Sequence, residues 1–384
     1  KVTVARAREE IGRQSGIASE RIMLSATHTH SGPRIDAWLD QQDQRYGYKV
    51  STDYKETLYD KLAAVATEAI QNAQAARIGF GVGRAGEEHG IGGNRHEPGG
   101  ICDPAVRVMG VQSFGGEWLA CLIKYSLHPA ILQEDNLLIS ADFPGYVREV
   151  VRECKPGAVM LFAQGPHGEP SRTFYRSCQT FAEAQRFGTI IGREAVRILD
   201  QIWFVEDVTL GARTTHVTPE LRTLPDVPDA RREVRRLEEK LAVLQRQNAS
   251  CVAIQTCSRD LLGARFTLNY ARYAAEGQMH PGAEHEFPAE IQAFRIGDAC
   301  VVALPGEIFV TYTLNIEKDS PFRHPFVLTV ANGYLPGYVV DQTSTDENVF
   351  EAGTSLMTPQ TGRLFSSAAI RLLRELVCER LPFA

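Results

Sequence analysis

Several chemistries are excluded by what this sequence lacks. There is no Gly-x-Ser-x-Gly elbow for an activated serine, and neither a Walker phosphate loop nor a dinucleotide fingerprint. No Cys-x-x-Cys pair occurs among the eight cysteines, which are scattered from Cys102 to Cys378. Free thiols in a reducing compartment are the simplest account of them, with disulfides left open by the even count. No basic stripe offsets the net charge of -6, so nucleic acid is not expected as a partner. No run approaches the roughly 18 apolar residues of a membrane span, and no signal peptide opens the chain. A cytoplasmic location is therefore expected over a secreted one, although the chain begins at Lys1 and not at methionine. Repeats and low-complexity tracts are also missing.

What is present is a soluble globular composition, 43% hydrophobic and 23% charged over 384 residues, enough to bury a large core without staples. Helical periodicity is expected over residues 2 to 15, 54 to 75, 182 to 199, 229 to 247 and 367 to 379. Apolar runs at 22 to 24, 78 to 82, 106 to 113, 118 to 127, 159 to 163, 291 to 296, 299 to 304, 308 to 310 and 326 to 331 read as strands. Their alternation with helices predicts a single α/β domain spanning residues 1 to 384, with mixed sheets flanked by helices. Asp142 is placed as the cap of a helix over 146 to 153.

Polar groups recur where these apolar runs stop. Ser25-Ala26-Thr27-His28-Thr29-His30-Ser31-Gly32-Pro33 follows Ile22-Met23-Leu24, and strand alternation would put His28 and His30 on one face. Such a pair suits a metal, or one ligand and one proton carrier, or two hydrogen-bonded structural histidines. His128-Pro129 ends a second run, Gln164 to Ser171 a third, Glu307 heads a fourth, and Tyr338 lies beyond a fifth. Histidines, a carboxylate and one further donor form the ligand set of a catalytic zinc, which hydrolyses amides, esters or lactones without a protein nucleophile. Gly92-Gly93-Asn94-Arg95 reads either as a surface loop or as an arginine brought against a ligand oxygen.

In their order, the His-Thr-His motif, the His128-Pro129 strand end, Ser140-Ala141-Asp142-Phe143-Pro144-Gly145-Tyr146, Phe162-Ala163-Gln164-Gly165, Leu304-Pro305-Gly306-Glu307 and Asn332-Gly333-Tyr334 to Tyr338 resemble the neutral, non-lysosomal ceramidases. The resemblance implies a zinc-dependent hydrolase cleaving an N-acyl amide bond by attack of zinc-bound hydroxide on the carbonyl. It implies His28, His128, Glu307 and Tyr338 as zinc ligands, with His30 beside the metal as a proton carrier. Arg95 would bind substrate or the developing oxyanion. Independently of the resemblance, glycine and proline mark the strand-end loop of Gln164 and His167 as a pocket wall, and these two with Phe350 are the further expected substrate-binding residues.

Three departures from that family stand out. Phe350 occupies the position of a second tyrosine, Gly168-Glu169-Pro170-Ser171 replaces a Gly-Asp-Val-Ser-Pro loop, and an N-terminal segment and a C-terminal immunoglobulin-like domain are expected to be absent. A small molecule or a lipid N-acyl compound is the expected partner. An ester, lactone, acylated sugar or small N-acyl substrate is the alternative, and a non-catalytic binding protein the remaining one.

Overall fold

The structure is a computed structural model, and it describes all residues except 1, 34, 36–51, 98, 134–135, 172–174, 176–177, 279–282, 284–285 and 379–384. The loop expected after Gly32-Pro33 falls mostly outside the described residues. The helices are α1 (Val2–Ser15), α2 (Thr52–Gln71), α3 (Phe143–Cys154), α4 (Phe181–Leu199), α5 (Val227–Arg246), α6 (Cys251–Ala275), α7 (Val310–Asp319), α8 (Gln342–Asp346), α9 (Phe350–Thr354) and α10 (Pro359–Cys378). The strands are β1 (Ala76–Arg84), β2 (Gly93–Asn94), β3 (Ala105–Ser113), β4 (Trp118–Tyr125), β5 (Val159–Gln164), β6 (Pro170–Ser171), β7 (Phe204–Val205), β8 (Leu210–Val217), β9 (Ala289–Ile296), β10 (Ala299–Ala303), β11 (Glu307–Ile308), β12 (His324–Leu328) and β13 (Tyr338–Val339).

Two mixed sheets carry the architecture. The first runs β5-β4-β3-β1-β7 and is antiparallel except for the β4–β5 pair. The second runs β12-β10-β9-β8 and is antiparallel except for β10–β12. Alternating side chains send each strand into two cores. From β4, Cys121, Ile123 and Tyr125 pack under α3 and α4, while Leu122 faces the second sheet. From β10, Cys300 and Val302 pack under α7 and α10, while Ala299, Val301 and Ala303 face the first sheet. The result is four layers, helix on sheet on sheet on helix, as the α/β composition requires. Where Lys124 enters the space between layers, its charge is met by Asp103 at 2.5 Å and Glu317 at 3.4 Å.

Two expected strands differ. Ile22-Met23-Leu24 forms no ladder; Ser25 bridges to Ala331 with backbone bonds from Asn332 to Leu24 and from Ala26 to Val330, and side chains supply other bonds of the segment. The run at 308 to 310 is cut short, since Val310 already opens α7. Asp142 does cap α3, accepting from the Phe143 amide. Every cysteine in the described side-chain set is free.

Helices α3 and α4 touch at backbone distance. A Cβ placed on Gly188 would lie 2.6 Å from the Phe143 carbonyl oxygen and 3.0 Å from the Val147 nitrogen. Gly188→Ala should therefore destabilise the protein by ~1–3 kcal/mol, read as a lower denaturant midpoint at unchanged slope.

Candidate metal centre

The segment carrying His28 is held by Asn332 beyond β12, Gln292 of β9 and Arg8 of α1. Asn332, itself at φ 57°, donates its amide to the Leu24 carbonyl (2.8 Å) and accepts the Leu24 amide on Oδ1 (2.9 Å). Its Nδ2 donates to Gln292 Oε1 at 2.7 Å, and Gln292 donates to the Glu20 carbonyl at 2.9 Å. Arg8 donates to the Ile22 carbonyl at 3.0 Å and forks onto Glu290 at 2.8 and 2.7 Å. These buried bonds do what a strand ladder would have done.

His28 then takes a left-handed φ of 62°, a conformation that costs a side-chain-bearing residue about 1–2 kcal/mol. Strand alternation consequently does not place the two histidines. They nonetheless meet: His28 Nε2 is 3.4 Å from His30 Nε2 and 3.2 Å from His128 Nε2, and His30 lies 3.1 Å from His128.

His128 follows β4, and Glu307 opens β11, whose pairing with β13 sets it opposite Tyr338. Glu307 and Tyr338 thus head short strands; only His128 comes after a long one. Glu307 Oε2 lies 3.5 Å from His28 Nε2, 3.7 Å from His128 Nε2 and 3.7 Å from His167 Nε2. His167, which sequence reading placed in the substrate wall, stands with the ligand group. His28, His128, His167 and Glu307 offer four ligand atoms within 4.8 Å of one another.

The donor set fits a metal ion on three counts. Tetrahedral ligands bonded at ~2.05 Å sit about 3.3 Å apart, close to most of the separations found here. His167 Nδ1–H donates to the Gly165 carbonyl at 3.0 Å, leaving Nε2 as a lone pair. That Nε2 and Glu307 Oε2 are both buried with no hydrogen-bond partner. Burying two unmet polar atoms face to face is costly, and a cation between them removes the cost. At His128, Nδ1 lies 3.0 Å from the His167 carbonyl and 2.9 Å from Arg95 Nη2. Donation to the carbonyl frees its Nε2 for the centre.

Burial and the neighbouring His28 hold His167 at about 3, and burial with His28 and Arg95 holds His128 well below the usual histidine range. Both rings therefore stay neutral near pH 7, the form a metal needs. Burial opposes ionisation of Glu307, but the facing His28, together with His167 and Tyr338, pulls it below the ordinary carboxylate range. Tyr334 donates to the other oxygen, Oε1, at 2.8 Å and fixes the carboxylate's rotation.

Arg95 reaches the centre on the β2–β6 pair, with its amide on the Glu169 carbonyl. Burial works against its charge, but Glu351, Tyr338 and Glu307 keep the guanidinium protonated. Nη1 donates to Glu351 Oε1 at 2.6 Å and Nη2 to the His167 carbonyl at 3.3 Å. Phe350 packs edge-on to the Tyr338 ring, with centroids 6.2 Å apart. Gln164 is fully buried behind His128, its amide spent on the Leu127 and Gly165 carbonyls at 3.1 Å each. Sequence reasoning gave no role to Tyr334 or Glu351; each stands near a residue it singled out, Tyr338 and Phe350, but neither carries a local pattern.

Four layers enclosing three histidines and a glutamate define an α/β protein with the fold of the neutral ceramidases. Among solved structures, the chain is similar to the crystal structure of neutral ceramidase from Pseudomonas aeruginosa, with a TM-score of 0.68 and 20% identity over the whole of this chain and 66% of that one. It is likewise similar to a ceramidase complexed with C2, with a TM-score of 0.69 and 18% identity, spanning 67% of that chain. No family model and no curated protein matches the sequence. The chain thus spans about two-thirds of the length of the structures it matches, and what they share with it is the fold.

Because His167 is held at about 3 against 6.5 in an unfolded chain, the unfolded state binds more protons between those values. Stability is then present above pH 6.5 and is lost as pH falls toward 3, with a limiting slope of about 1.4 kcal/mol per pH unit for this ring. Metal-free protein unfolded by urea at successive pH values should show that slope, reduced in His167→Gln.

Proposed function

We propose that the protein is a zinc-dependent hydrolase that cleaves an N-acyl amide bond. The observation that carries this is the buried Glu307 Oε2 and His167 Nε2, both without partners and both facing the ring nitrogens of His28 and His128. Their hard and borderline donors suit zinc, with His28, His128 and Glu307 as ligands and Tyr338 or His167 completing the set. Zinc, when bound, supplies a Lewis acid that activates water near neutral pH and polarises a carbonyl.

The chain's own residues supply the remainder. Arg95, kept charged and aimed by Glu351, holds the carbonyl oxygen as negative charge develops there. His30 is exposed beside both His28 and His128 and carries the proton that the leaving nitrogen requires. Tyr334 and Tyr338 hold Glu307 ionised and oriented. Phe350, which has no hydroxyl, bounds the substrate against the Tyr338 ring. The likeness in fold to the ceramidase structures supports an amide substrate, so N-acyl lipids beginning with ceramide are the first compounds to assay.

Elemental analysis of purified protein should give about one zinc per chain, and His28→Ala and Glu307→Ala should each lose both the metal and hydrolysis of the amide. A variant keeping full metal content and activity would refute the ligand assignment. Phe350→Tyr should change the ratio of kcat/KM between long-chain and short-chain N-acyl substrates while leaving metal content unaltered.

A further inference from the structure

The loop between β4 and α3 carries Leu137, Leu138 and Ile139 in succession, exposed by 93, 64 and 80%. Single aliphatic side chains are ordinary on a protein surface; three consecutive ones at a loop tip mark an interaction surface. Residues 136 to 140 are well tied. Asn136 Nδ2 donates to the Leu138 carbonyl at 2.7 Å and to Ser31 Oγ at 3.0 Å. The Ser140 amide donates to the Ser31 carbonyl at 3.0 Å, and Thr29 Oγ1 donates to the Ser140 carbonyl at 2.7 Å. Thr29 and Ser31 flank His30, so these bonds join the apolar tip directly to the segment that brings His28 and His30 to the metal centre.

Next to the base of the tip, a groove of about 360 Å³ is lined by residues that include Ser140, Tyr146, Arg148, Arg152 and Phe181, with two acids, Glu149 and the buried cap Asp142, whose carboxylate is spent on the Leu132 and Phe143 amides. Arg148 and Arg152 lie one turn apart on the exposed side of α3, and neither forms an ion pair among the described residues. Phe181 is 38% exposed. Aliphatic side chains at a tip, with an aromatic ring and two unpaired arginines behind them, match the layers of a lipid–water interface. The aliphatics enter the acyl region, the ring sits at the boundary and the guanidinium groups meet phosphates. A two-fold contact between copies of the chain through the same tips would crowd the arginines of both into one interface.

We propose that Leu137, Leu138 and Ile139 form a docking tip by which the protein settles on a lipid surface bearing anionic headgroups, with the segment of His28 and His30 held beside that surface. The docking is independent of the reaction proposed above, but it gives the metal centre direct access to amphiphilic substrates that reside in membranes and not in water.

The test is co-sedimentation of the full chain with vesicles of phosphatidylcholine alone and of phosphatidylcholine mixed with phosphatidylglycerol. Wild-type protein should bind the mixed vesicles more tightly, with the difference shrinking as salt is raised. L137D/I139D should lower the partition coefficient by more than about tenfold on both compositions. R148Q/R152Q should reduce binding to the mixed vesicles to the level seen on phosphatidylcholine. His28→Ala should bind as wild type does, which separates docking from the metal reading. Thermal unfolding of L137D/I139D and R148Q/R152Q at the wild-type midpoint shows that their fold is retained. Failure of wild-type protein to bind either vesicle, or equal binding by L137D/I139D, would overturn the proposal. So would a lipid-free dimer that L137D/I139D dissociates, which would assign the tip to a second copy.

Discussion

A carboxylate oxygen that nothing in the protein hydrogen-bonds, set among imidazole nitrogens, is the constraint on which the rest of the structure turns. Left alone in a dry interior, Glu307 Oε2 and His167 Nε2 would be among the costliest atoms in the molecule. Everything around them prepares that pair for a cation. Tyr334 occupies the other carboxylate oxygen, the Gly165 carbonyl fixes the His167 tautomer, and the Arg95–Glu351 pair brings a positive charge to the edge of the group without competing for its lone pairs. Burial alone would not keep Glu307 ionised; the facing groups do, while burial keeps the His128 and His167 rings neutral.

The layered fold explains how these groups arrive from such distant parts of the chain. Two sheets packed face to face bring the loop after β4 and the loop after β5 alongside β11 and β13. The first segment of the site has no ladder of its own, and Asn332, Gln292 and Arg8 hold it in place with side-chain bonds to Glu20, Ile22 and Leu24. One asparagine thereby couples the second sheet to the left-handed turn at His28. The arrangement lets a ligand sit in a backbone conformation that a regular strand would not permit.

Legibility in the sequence followed the range of the interaction. Strands β3, β4, β9 and β10 were visible because alternation and apolar runs are local. His128 and Glu307 were visible because a polar residue next to such a run is conspicuous. His167 was read as part of a pocket wall, since glycine and proline around it signal a loop and say nothing about where its ring will point. Tyr334, Glu351, Arg8 and Gln292 gave no cue as functional residues, because each acts through a partner far along the chain: 27 residues for Tyr334 to Glu307 and 256 for Glu351 to Arg95. Ile22 to Leu24 was misread as a strand for the same reason, its hydrogen bonds being closed in part by side chains that no local pattern announces.

The ligand group draws on residues 28, 128, 167 and 307, so no single element of the chain contains it. During synthesis Glu307 emerges last of the four, and the turn at His28 needs Asn332 later still. A metal ion captured at this centre would consequently certify that both sheets have closed. Its capture reports on the whole sandwich and not on one loop, making the ion a gauge of completed folding.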